Sequence, residues 1–101
     1  MSFVALVEIH LHFPDNHSLK GKRKEVRSLQ AHLRQRFHAS VSETDHHDLW
    51  QRATLSAALV GRDASAVAEA ATKLERYVES QYPEGSRCER GILSGDELLA
   101  R

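Results

Sequence analysis

A chain of 101 residues, 41% hydrophobic and 28% charged, has the composition of one soluble domain. At that length roughly two thirds of the unfolded surface is buried on folding, without need of disulfides or a structural metal. Formal net charge is zero, which excludes a uniformly basic or acidic molecule.

The elements read as follows in chain order. Residues 3–13 alternate, with Phe3, Ala5, Val7, Ile9, Leu11 and Phe13 on one side and Glu8, His10 and His12 among the residues on the other. Period two with one apolar face predicts a half-buried strand, broken at Pro14-Asp15-Asn16. Ser18 is the expected N-cap of a helix running to about Phe37, with Leu19, Val26, Leu29, Leu33 and Phe37 on the 3.6-residue period. Residues 38–45 predict a second strand with Ala39 and Val41 inward, followed by an Asp45-His46-His47-Asp48 turn. Gln51 to Gly61 predict a third, with Ala53, Leu55, Ala57 and Leu59 on one face. Asp63 or Ser65 caps a second helix whose core stripe is Val67, Ala70, Ala71, Leu74 and Val78, stopped at Tyr82-Pro83-Glu84-Gly85. Residues 86–94 predict a fourth strand, less regular than the others. The βαββαβ order gives the fold class: α+β, a ferredoxin-like sandwich, with a four-stranded antiparallel sheet and two helices on one face. Residues 1–94 form that single domain and residues 95–101 a loose or weakly helical tail.

Charge is unevenly distributed. Residues 17–36 carry seven Lys and Arg against one acid, Glu25, a net of +6, so the remainder carries −6. Lys20, Arg23, Lys24, Arg27 and Arg34 fall within an arc of about 100° on the first helix, with Lys22 and Arg36 flanking the apolar stripe. Cations at a helix start oppose the macrodipole, so helix stability does not account for them. Together with free backbone N–H groups they suit phosphate or another anion. The competing reading is a solvated face partly neutralised by Asp45 and Asp48. Gly21 makes no phosphate loop, because the surrounding glycine and Lys-Ser/Thr pattern is missing.

The predicted topology leaves one sheet face uncovered and brings His10, His12, Arg52 and the Asp45–Asp48 turn to the same end as the helix start. RNA-binding domains of this topology stack bases on aromatics of the central strands. Glu8, His10, His12, Thr54 and Ser56 stand there instead, so RNA contacts are expected to run through phosphates, from Lys20, Lys22, Arg23, Lys24, Arg27, Arg34 and Arg52. The far end of the open face carries Val4, Leu6, Ala58 and Val60, a surface for a partner or a second subunit. His10, His12, Asp45 and His46 bear metal-ligating atoms, but the usual ligand spacings are absent, and a polar turn is the favoured reading. No catalytic constellation and no cofactor motif is evident. Trp50 is expected to pack under the loop at the sheet end, with a ligand-facing wall as the lesser reading.

The lone cysteine, Cys88, excludes an internal disulfide and makes a reducing cytoplasm the expected location. No signal peptide is evident, and no apolar run approaches the ~20 residues of a membrane span.

Ser18-Leu19-Lys20-x-Lys22-Arg23, followed by Asp45-His46-x-Asp48-Leu49-Trp50-Gln51-Arg52-Ala53, resembles the YlxP-like proteins, small bacterial proteins of unknown function. The resemblance spans strand 1 to helix 2 and implies the same ferredoxin-like fold. Genes of that family often lie near those for transcription elongation, translation initiation and ribosome maturation, which implies RNA or a ribosomal subunit as partner. It carries no catalytic residue with it. Gly21 departs from the resemblance, since a charged residue is common at that place, and so does the longer C-terminal tail. The expected function is therefore a non-enzymatic RNA- or ribosome-associated protein; the alternative is an interaction module or homo-oligomer built on the open sheet face.

Overall fold

The computed structural model describes residues 1–101. Its elements are β1 (Phe3–His12), α1 (Leu19–Phe37), β2 (Ser40–Asp45), β3 (Arg52–Gly61), α2 (Ala64–Gln81), β4 (Ser86–Ser94) and α3 (Gly95–Leu98). The strands form one antiparallel sheet in the order β2-β3-β1-β4, the ferredoxin-like arrangement expected from the patterning. The inward residues of β1 and β3 meet in register, Val7 opposite Ala57 and Ile9 opposite Leu55. Both long helices lie on that side. Val26, Leu29 and Leu33 of α1 and Val67, Ala71, Leu74 and Val78 of α2 complete the core. Alanines at 53 and 57 keep β3 low enough for the helices to approach.

Local chemistry sets the boundaries. The Ser18 hydroxyl accepts from the Gly21 N–H at 3.0 Å, and α1 ends where His38 turns left-handed at φ 54°. That turn is why β2 begins at Ser40 rather than at residue 38. The Asp63 carboxylate accepts from the N–H groups of Ser65 and Ala66 to open α2.

Two elements gain detail. β4 pairs without a break from Ser86 opposite Leu11 to Ser94 opposite Phe3, while its burial alternates less regularly than that of β1. Its alternation is masked by Arg90, which faces α2 and is satisfied there. The guanidinium donates to the Ala68 carbonyl at 2.8 Å and the Thr72 hydroxyl at 2.9 Å, and pairs with Glu75 at 3.5 Å. The tail forms an ordered turn, α3, opened by a capping box between Ser94 and Glu97 and tied to the N-terminus by the Gly95 N–H donating to the Ser2 carbonyl at 2.7 Å.

Candidate nucleic-acid interface

The start of α1 is built on a bridge. The Asn16 amide donates to the carbonyls of Ser18 and Trp50, joining the helix entry to the loop between β2 and β3. From there Lys20, Arg23, Lys24 and Arg27 project on the solvent side of the helix, and all four are exposed. None of the four takes part in an ion pair: the salt bridges of the molecule lie elsewhere. Glu25, the acid within the stretch, accepts a hydrogen bond from the Tyr82 hydroxyl at 3.1 Å. Burial first, and then Glu25, hold that phenol protonated well above its ordinary range. The Asp45 carboxylate accepts from the His46 N–H. Neither Glu25 nor Asp45 forms an ion pair with any of the four cations.

Lys22 requires a correction. It is 0% exposed and has no surface to offer a phosphate. It stands four residues before Val26 and seven before Leu29, on the core side of α1, and that spacing was the signal its charge concealed. Its ammonium donates to Glu43 Oε2 at 3.0 Å and to the carbonyls of His46 and His47 at 2.8 and 3.1 Å. Three donors meet three acceptors, which is the condition for burying a lysine. His46 adopts φ 64° at the turn that presents its carbonyl to the ammonium. Arg34 is exposed but donates to the Val41 carbonyl at 2.7 Å, so part of its guanidinium fastens α1 to β2.

The same loop is held from several sides. The Leu49 N–H donates to the His46 carbonyl, the Phe13 N–H to the Gln51 carbonyl, and the Gln51 amide to the carbonyls of Pro14 and Asn16. Within this fastened loop Trp50 is 47% exposed. It does not pack under the loop as the sequence led one to expect, and Leu49 beside it is exposed as well.

Where the open face reaches this end of the sheet there is a polar cleft of about 450 Å³, lined among others by His10, His12, His46, Arg52, Thr54 and Arg87. Arg52 is exposed and unpaired, whereas Arg87 hydrogen-bonds Glu89. His10 Nδ1 lies 3.4 Å from the Thr54 hydroxyl, and its Nε2, shielded from solvent, has no hydrogen-bond partner and stands 3.6 Å from Glu89. His12 also borders the groove that runs to Asn16, Gly21 and Lys24, so cleft and helix start share one surface. His10, His12 and His46 thus line the cleft while Asp45 caps the neighbouring backbone; no three His, Cys, Asp or Glu residues gather as a metal-binding set. The contributions of Glu84, Ser86 and Arg87 were missed from the sequence, because they depend on the register of β4. At the far end of the open face Val4, Leu6, Ala58 and Val60 lie together as expected, joined by Leu93, which stands opposite Val4.

Residues 4–89 match a family model described as a protein of unknown function, DUF503. No curated protein matches the chain. Among solved structures, a de novo designed protein, Foldit4, is similar over 93% of this chain and 98% of its own, with a TM-score of 0.63 and 9% identity. SnoaB, a cofactor-independent oxygenase from Streptomyces nogalater, is similar over 92% of each chain, with a TM-score of 0.51 and 12% identity. At those identities the likeness is one of fold alone. No helix of the chain is long and apolar enough to cross a membrane.

Proposed function

The chain belongs to the DUF503 family of proteins of unknown function, and we propose that it is a YlxP-like, non-enzymatic RNA- or ribosome-associated protein of the cytoplasm that grips phosphates through the exposed face of α1. The observation that carries this reading is the set Lys20, Arg23, Lys24 and Arg27, four exposed cations at a helix start without one ion pair among them. Lys20, in the first turn of α1, opposes the helix dipole, and an anion bound there relieves that cost. Arg52 extends the surface toward the cleft.

The test is anisotropy of a labelled RNA hairpin over a salt series, for the wild type and for K20E/R23E/K24E. Lys22 is kept intact because its loss would disturb the fold. Four phosphate contacts predict an affinity falling about 10²-fold between 50 and 200 mM salt, and a shallower, much weaker profile for the variant. Absence of binding at low salt, or indifference to the reversals, rejects the reading.

A second reading, a homodimer through the open sheet face, is favoured by the aliphatic group Val4, Leu6, Ala58, Val60 and Leu93, in which Val60 is 75% exposed. It occupies the opposite end of the sheet and is compatible with the first.

A further inference from the structure

We propose that Trp50 is a stacking platform for an unpaired base of the RNA strand whose phosphates α1 holds. The proposal rests on the phosphate-binding reading and adds to it a preference for single-stranded loops or ends over continuous duplex. Three observations carry it. Trp50 is the one tryptophan of the chain and remains 47% exposed, although an indole left in water forgoes a large burial gain. The segment around it is not loose: its carbonyl is held by Asn16, and Lys22 and Gln51 fasten the residues on either side. A fixed backbone beneath the ring lowers the entropy that binding forfeits. The segments joined to it carry cations, and Leu49 beside it is also exposed. Asn16 links the Trp50 carbonyl to Ser18, the residue that caps the helix bearing Lys20, Arg23 and Lys24, and Arg52 follows two residues later. An exposed indole on a loop tied to the start of a helix bearing unpaired cations offers what single-stranded nucleic acid recognises, bases stacking while phosphates are neutralised.

Because the chain has no other tryptophan, its fluorescence reports this site directly. The experiment titrates the full chain with two RNAs of equal length, a hairpin with an unpaired loop and a blunt duplex, following intrinsic fluorescence and the anisotropy of an RNA label. The hairpin is expected to quench the indole with the same midpoint as the anisotropy. W50A should then weaken hairpin binding by about five- to a hundredfold, leave duplex binding and the salt slope nearly unchanged, and be largely rescued by W50F. Thermal melting of W50A confirms that it is folded. Saturation of the hairpin without quenching, or a W50A affinity equal to that of the wild type, overturns the proposal, and the latter outcome would point to a protein-docking role for the ring. Equal losses on hairpin and duplex overturn it too. K20E/R23E/K24E separates the two claims. If it loses both RNAs while W50A loses neither, the phosphate reading stands and stacking is wrong; if the wild type binds neither RNA, the phosphate reading has failed.

Discussion

A buried ammonium is tolerable only while every proton has an acceptor, and Lys22 meets that condition with acceptors drawn from β2 and the loop beyond it. Lys22→Met keeps the stem and removes the donors. It leaves a largely buried Glu43 carboxylate and two carbonyls unpaired, and should lower unfolding stability by about 3 kcal/mol or more, measured by urea titration. The double variant K22M/E43M should recover only part of this, because the carbonyls of His46 and His47 still lack a donor. Gly21 obeys a related constraint. A Cβ there would run into the Asn16 side chain and crowd the Ser18 hydroxyl. Gly21→Ala gains helix propensity of about 1 kcal/mol but displaces Asn16 from Ser18 and Trp50. It should therefore be neutral or destabilising in the wild type and stabilising in an N16A background, a change of sign that a double-mutant cycle by urea titration detects.

At the scale of elements, α2 is set by its cap. The Ser65 hydroxyl above all, then the N–H groups of Ala66 and Ser65, hold the Asp63 carboxyl below its ordinary value of 3.8. The folded state thus favours the ionised form. Its stabilisation is complete above the unfolded value and is lost as pH falls through the lower folded one. An asparagine in place of Asp63 would cap equally well without titrating, so D63N should melt near the wild type at pH 6 and lose less on acidification to pH 3, as followed by circular dichroism. This cap, the Ser18 cap and both helical stripes were legible in the sequence, because each is a local pattern of a few residues. So was the sheet order, which follows from one-sided strands and right-handed crossovers. What stayed hidden was what two distant segments decide together. Arg90 disguised β4, since only its contacts across to α2 make an inward arginine acceptable. Lys22 passed for a surface cation, since its acceptors lie more than twenty residues on. Trp50 reads first as packed under the loop, since nothing local marks the contact that ties its carbonyl to Asn16. In each case a long-range polar contact overrode the residue's usual preference.

For the whole molecule, the zero net charge conceals two ends of different character. Basic α1, Trp50 and the cleft occupy one end, and the aliphatic group the other, where Val60 stands opposite Val4, which stands opposite Leu93, with Leu6 next to them along β1. Two copies related by a two-fold axis would lay these rows against each other, each covering the same patch of its partner. Stable interfaces bury about 800 Å² per partner, and five aliphatic residues supply only a part of that, so the dimer should be weak, with a dissociation constant in the micromolar range or above. In sedimentation velocity the weight-average mass should rise from one chain toward two between about 1 and 500 μM, and V60E should hold the protein at one chain throughout. Val60 is already in water in the monomer, so V60E should shift the melting temperature of dilute protein by no more than a degree or two. Such a pair would present two α1 faces to one RNA, and the second contact would form at the effective concentration set by the first. V60E should accordingly weaken binding to a long RNA more than to a short hairpin. A single-chain mass at every concentration would rule out the pairing and leave each molecule to bind RNA alone.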